Sequence, residues 1–271
     1  MSTPINANAV KTLRDLTDMP MMKCKAALEK AGGDIEKAKL ILREEGGKFL
    51  TGDKGARETA EGRIGAYSDA KTAGALVELR CETPSVVKND RFIALANEMA
   101  KQVAMKNPGN VDELLKMKLV DDPSRTVQDR LAEVVGVIRE NMRPARFVRF
   151  EGITGEYVHH DGATGVLLQV RGESAEPTLL RDICTHIAAL RPTYGTVADV
   201  PNEIVKREEH LAKQQADEQA AGKYQTWLAE NVLVQQPMAN QIKYGKKTVG
   251  ELLKAAKLEI VQFVRMKVGE L

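Results

Sequence analysis

Two stretches of this chain, 91 residues apart, repeat one order of apolar strand, polar turn and amphipathic helix. Ala75-Leu76-Val77-Glu78-Leu79-Arg80 matches Val166-Leu167-Leu168-Gln169-Val170-Arg171, and Glu82-Thr83 matches Glu173-Ser174. The helices keep the register, with Phe92, Ala96 and Met99 falling at Ile183, Ile187 and Leu190. A preserved offset argues for duplicated supersecondary units. Two copies are too few for a solenoid, so the expectation is an α+β fold with paired subdomains, each a sheet against helix.

At 271 residues the chain is long enough for two or three modest cores. Charged residues make up 29% and nearly cancel at +2, which argues against a nucleic-acid or other polyanionic partner. Cys24, Cys81 and Cys184 are odd in number, far apart and without metal-ligand spacing, as expected of a reducing cytosol. The start, MSTPINANAV, has neither a basic nor an apolar leader region, and no run of about 20 apolar residues occurs. The expectation is a soluble cytoplasmic protein without a membrane segment.

Ahead of the repeat, residues 6–45 carry helix punctuation three times. Asn6 or Asn8 is placed to cap a helix with apolar positions Val10, Leu13 and Leu16, which Thr17-Asp18-Met19-Pro20 breaks. A second helix at 21–30 buries Met22, Ala26 and Leu28 or their neighbours and ends at Gly32-Gly33. Asp34 caps a third, striped by Ile35, Ala38, Ile41 and Leu42, before Gly46-Gly47. This predicts a three-helix module over 1–46 and a linker at 47–61 that leaves the module free to move. Gly52 to Lys54 does not fit a phosphate-loop pattern, so no nucleotide site is expected there.

The first copy is expected at 62–144: a hairpin of strands 62–68 and 73–81, then helices with Val127, Leu131, Val134, Val135 and Ile138 as an amphipathic stripe. The second is expected at 145–199, opening with strand 145–150 and continuing through 155–160, a turn at Asp161-Gly162 and strand 164–171. A helical hairpin follows at 200–236. Its outgoing arm, 202–221, is charged and alanine-rich and should lack a core; it turns at Gly222-Lys223, and the return at 224–230 is short. The last segment, 237–271, combines a short helix with an alternating strand. Ile260, Gln262, Val264, Met266 and Val268 take one face and Val261, Phe263, Arg265 and Lys267 the other, so the strand is placed to close an existing sheet.

The first module bears a specific likeness. Leu13-Arg14 through Thr17, Met21-Met22-Lys23-Cys24-Lys25-Ala26-Ala27-Leu28 and Gly33-Asp34-Ile35-Glu36-Lys37-Ala38 resemble the ubiquitin-associated-type amino-terminal domain of the bacterial elongation factor Ts family. Further strings follow that family's order: Cys81-Glu82-Thr83, Val86, Lys88-Asn89-Asp90, Arg146 to Gly152, Tyr157 with His159-His160, and His186-Ile187-Ala188-Ala189 with Pro192. The resemblance implies two core subdomains of similar plan, which agrees with the repeat. It also implies a protein partner, elongation factor Tu. Arg14, Met21 and Met22 would meet Tu's nucleotide-binding domain, and His159 its third domain. Spacing alone has Met21 and Met22 finish a small core, whereas methionine also suits an adaptable binding surface; the resemblance favours the surface.

One turn departs from the pattern. The family's resembles Thr-Asp-Phe-Val, whose acidic and aromatic residues act near the magnesium site of Tu. Here it reads Thr83-Pro84-Ser85-Val86. Pro84 fixes φ and Ser85 has no ring, so the turn reads equally as a partner contact or as the start of a helix. His159 and His160 lack a nearby thiol or H-x-x-x-H partner, and neighbours on a strand face opposite ways, which argues against a metal or catalytic pair. His186 is expected to pack on its helix. No nucleophile with a base, paired carboxylates or metal cluster emerges, so a partner-binding protein without cofactor is expected rather than an enzyme. The reading is a guanine nucleotide exchange factor for elongation factor Tu. The alternative is a Tu-binding holdase or regulatory paralogue that kept the surface and lost the wedge.

Overall fold

The computed structural model describes residues 5–51, 55–214 and 219–270. Residues 52–54 of the expected linker and 215–218 of the expected outgoing arm lie outside them. Two compact units divide the chain: Met1–Gly65 with Val77–Phe147, and Ala66–Leu76 with Val148–Glu270.

In the first unit, α1 (Ala7–Thr17) starts where Asn6 Oδ1 accepts from Asn8 N–H at 2.9 Å, and ends at Asp18 in the left-handed region. It buries Val10 and Leu13, but Leu16 is exposed rather than part of the stripe. α2 (Met21–Lys30) follows Pro20 and buries Cys24, Ala27 and Leu28. Met22, expected inside, points to solvent. α3 (Ile35–Thr51) is capped by Asp34, whose carboxylate accepts from Lys37 N–H at 3.0 Å. The hairpin of β1 (Glu61–Ser68) and β2 (Ala73–Cys81) turns at Asp69, whose carboxylate accepts from the N–H groups of Lys71, Thr72 and Ala73. Then come α4 (Pro84–Val87), α5 (Asp90–Lys106), α6 (Val111–Lys116), α7 (Val127–Ile138) and β3 (Met142–Glu151).

The first sheet has the order β1-β2-β3. β3 is the strand that the sequence pattern assigned to the second copy. Alternation identifies a strand but not its partner. Phe92, Ala96 and Met99 of α5 are buried as the repeat predicts. β1 passes close to this helix at Gly65, where a Cβ would stand 2.2 Å from the Ala96 carbonyl oxygen.

α3 does not stop at Gly46-Gly47; it continues through both, because this part of the helix lies against α7. A Cβ on Gly46 would stand 2.2 Å from the Ala132 carbonyl oxygen, so only glycine permits the approach. Alongside, Arg43 reaches Glu133 at 3.1 Å, and Glu133 also takes Arg125 at 2.7 Å. The three-helix module is therefore packed onto α7, and the expected linker begins inside a helix.

The second unit contains β4 (Ile153–Val158), β5 (Thr164–Arg171), α8 (Pro177–Leu190), α9 (Asn202–Gln214), α10 (Gln219–Asn231), α11 (Gln241–Tyr244), α12 (Val249–Ala255) and β6 (Glu259–Lys267). Its sheet is antiparallel in the order β4-β5-β6, so the final strand does close a sheet. Leu180, Ile183, Cys184 and Ile187 of α8 share a core with Val166, Leu168 and Val170 of β5. Leu190, the last helical residue, is exposed. Strict alternation fails on β6. Gln169 opposes Gln262 and Val170 opposes Ile260, which leaves Val261 as an extra residue. This bulge turns Ile260 to the core that Phe263 also packs on.

α9 and α10 are 13 residues each, and α10 runs through Gly222 and Lys223, where the turn was expected. Among the described residues the returning arm is thus as long as the outgoing one. Residues 202–210 of the outgoing arm contribute no fully buried side chain; Val200, Leu228 and Val232 are buried, with Tyr194, Ile204, Val205, Tyr224 and Trp227 packed against them. Tyr224 and Trp227 lie nearly parallel, 6.4 Å between centroids. Among the described residues no helix is long and apolar enough to cross a membrane.

Candidate functional site

The α1–α2 turn sorts its three methionines by backbone position. Met19 follows the left-handed Asp18, is buried in the module's core and directs its methyl group at Gly136 of α7. Pro20 ends the turn. Met21 and Met22 then occupy the first turn of α2 and stand 54% and 74% exposed. Two adjacent exposed methionines on a helix that already has a filled core are not needed for packing. Arg14, exposed in the last turn of α1, precedes the same turn. Asp18 pairs with Arg91 in the first turn of α5, which ties the methionine turn to the segment that follows residues 83–86.

That segment is the departing motif. Thr83 is the N-cap residue of α4 and Pro84 its first helical residue, a position where proline lacks no hydrogen bond that a helix could use. Thr83 donates its N–H to Glu140 Oε2 at 3.1 Å and its hydroxyl to Oε1 at 2.7 Å, and it lies 2.9 Å from the Ser85 hydroxyl. Its polar groups are therefore spent on holding the turn. Pro84 and Ser85 face solvent, whereas Val86 is buried at 5%. Val86, expected at the partner contact, thus belongs to the core instead. Sequence reasoning did not find Glu140 or Arg91. They act across 57 and 73 positions, and nothing local marks them.

His159 lies in the second unit, just past β4, 3.1 Å from the Tyr157 hydroxyl through Nδ1. Its ring is 4.2 Å from that of His160, so the two do not face opposite ways; the strand has already ended. Among the described residues no group of three or more metal-ligating side chains is gathered. All three cysteines are buried. Burial raises each thiol: Cys81 is pushed up to about 12, with Glu140 and Glu61 adding to the effect, and Cys184 goes well above the usual range. None is a thiolate nucleophile at neutral pH. In the first unit a groove of about 510 Å³ is lined by Leu16, Leu40, Arg43, Arg91, Arg125 and Glu133, among others. Its arginines are engaged in ion pairs.

The fold defines the class: an α+β protein in which a three-helix module precedes two sheets of like construction, each with its helix. The comparisons then supply the family. A profile described as "Elongation factor TS" matches residues 82–270. An "Elongation factor Ts" of Aquifex aeolicus is 36% identical, with 100% of both chains covered. Proteins of the same name from Ralstonia nicotianae and Azoarcus sp. are 39% and 40% identical, covering 98% of this chain and 91% of theirs. The chain belongs to the elongation factor Ts family, the elongation factors of protein biosynthesis.

Proposed function

We propose that this chain is a guanine nucleotide exchange factor for elongation factor Tu in the cytoplasm, promoting GDP release. The observation that carries the reading is the pair of exposed methionines, Met21 and Met22, presented by a module fixed on α7 rather than trailing from a linker. A rigid mount lets a contact exert a directed push. Pro84 and Ser85 extend the same unit's surface, and His159 offers a separate contact on the second unit. Exchange follows from reciprocity: a protein that binds nucleotide-free Tu more tightly than nucleotide-bound Tu weakens nucleotide by the same factor.

A second reading, a Tu-binding holdase or regulatory paralogue, is favoured by one observation. Where the family pattern has an acid and a ring, the exposed residues here are Pro84 and Ser85. Stopped-flow GDP release from the cognate Tu decides between the two. The expected result is acceleration by the unmodified protein, and a further acceleration when Pro84→Asp is combined with Ser85→Phe, at little change in complex affinity. Binding to Tu with GDP release left at its spontaneous rate would establish the second reading instead.

A further inference from the structure

His186 takes no part in the surfaces above, yet it is only 1% exposed and both its ring nitrogens are engaged. Nδ1 accepts from Ala239 N–H at 3.1 Å, and Nε2 lies 2.9 Å from Gln236 Oε1. A backbone N–H only donates, so Nδ1 carries no proton and the ring N–H is on Nε2, donating to Gln236. Gln236, itself 2% exposed, donates its side-chain amide N–H to the Glu230 backbone carbonyl at 2.8 Å, and its backbone carbonyl accepts from Val249 N–H at 3.0 Å. One imidazole from α8 is thereby joined to the last turn of α10 and the first residue of α12.

We infer that His186 is a positioning residue which, only as the neutral Nε2–H imidazole, fixes the helical hairpin and the C-terminal helix on the core, so that a proton taken up there releases both. Protonation would set a new Nδ1–H against Ala239 N–H, two donors facing each other in an enclosed site with no acceptor between them. Burial accordingly holds the imidazole below its usual 6.5, with the Gln236 bond acting in the opposite sense. The surrounding charged groups are otherwise occupied. On α8, Asp182 stands one turn earlier and is held at 2.6 Å by both Lys243 Nζ and Tyr244 OH of α11. From β4, Glu156 interacts with Arg181. Glu230 of α10 meets Gln236 through its backbone carbonyl, and Glu251 of α12 accepts from Thr248 N–H at 2.8 Å.

The sign follows from the depressed pKa. The closed hub excludes the proton, whereas an opened one titrates at the ordinary value, so closure is complete above 6.5 and weakens as pH falls below it. Between pH 7.5 and 5.5 the open fraction should rise by up to about tenfold. If the hairpin and C-terminal helix engage Tu, the hub also sets the geometry they offer, a consequence that rests on the proposed function.

The test uses the full chain without any partner, so its outcome is independent of exchange activity. Native-state amide exchange at Ala239 and Val249 should lose up to about tenfold in protection between pH 7.5 and 5.5, after correction for the intrinsic rate. The chain's one tryptophan, Trp227 at the hairpin base, should change its emission in the same window. His186→Asn retains a side-chain acceptor but cannot titrate, so its protection should be flat with pH. A flat profile in the unmodified protein, or an equal fall in His186→Asn, would overturn the inference. Gln236→Glu provides a second variant: a carboxylate facing the ring favours imidazolium in the closed hub, so the fall should shrink or reverse, and an unchanged profile counts against the hub.

Discussion

Met21 and Met22 show how far residue type and residue position can diverge. Spacing places them in a small core, but Cys24, Ala27 and Leu28 already fill that core from the same helix, and the methionines are left at 54% and 74% exposure. Truncating them should therefore leave the thermal midpoint of the free protein in place. Truncation of an anchor buried in an interface commonly costs about 2 kcal/mol or more, roughly thirtyfold in dissociation constant. Met21→Ala and Met22→Ala are thus expected to weaken Tu binding by calorimetric titration while scanning calorimetry of the chain alone is unmoved. A lowered midpoint with unchanged binding would return both residues to the core. Val86 stands on the other side of this division. The sequence places it at a partner contact, but within α4 its side chain is 5% exposed and packs in the core.

At the scale of elements, the glycine pair in α3 separates two effects that composition alone cannot. Gly46 sits against the Ala132 carbonyl, whereas a Cβ on Gly47 would meet nothing within 4 Å. Alanine is favoured over glycine inside a helix by about 1 kcal/mol, so Gly47→Ala should stabilise the protein by roughly that amount. Gly46→Ala gains the same propensity but forces α3 off α7, a steric cost of about 1–3 kcal/mol, and should be neutral to destabilising. Urea denaturation of the two variants should thus shift apart; equal shifts would mean that α3 and α7 do not touch in solution. The same glycines explain what the sequence left illegible. The repeat, the caps at Asn6 and Asp34, the first hairpin and the strand that closes the second sheet could all be read, because each rests on local periodicity or a local hydrogen bond. The misreadings arose where a distant partner decides. These were the glycines taken as a helix end, β3 assigned to the wrong sheet, and the bulge that turns Ile260 inward. At the candidate site, exposure of the methionines was legible only through family likeness. The clamp of Glu140 on Thr83 was not legible at all.

For the whole molecule, the two units should contribute differently to the proposed exchange. A contact made equally to Tu with and without GDP adds affinity but shifts no equilibrium, whereas a contact made only without GDP supplies the coupling. His159 belongs to the second unit and by resemblance faces the third domain of Tu, away from nucleotide. Met21 and Met22 belong to the first and by resemblance face the nucleotide-binding domain. His159→Ala should then raise the dissociation constants for nucleotide-free Tu and for Tu with GDP by the same factor, leaving their ratio intact. Met21→Ala should raise the first more than the second and shrink the ratio, each tenfold of which equals about 1.4 kcal/mol of coupling. Titration of each variant against both forms of Tu gives the ratio directly, and GDP affinity measured on free and bound Tu must return the same number. A ratio that falls in His159→Ala and holds in Met21→Ala would reverse the roles assigned to the units. A ratio near one in the unmodified protein would leave a Tu-binding protein without exchange.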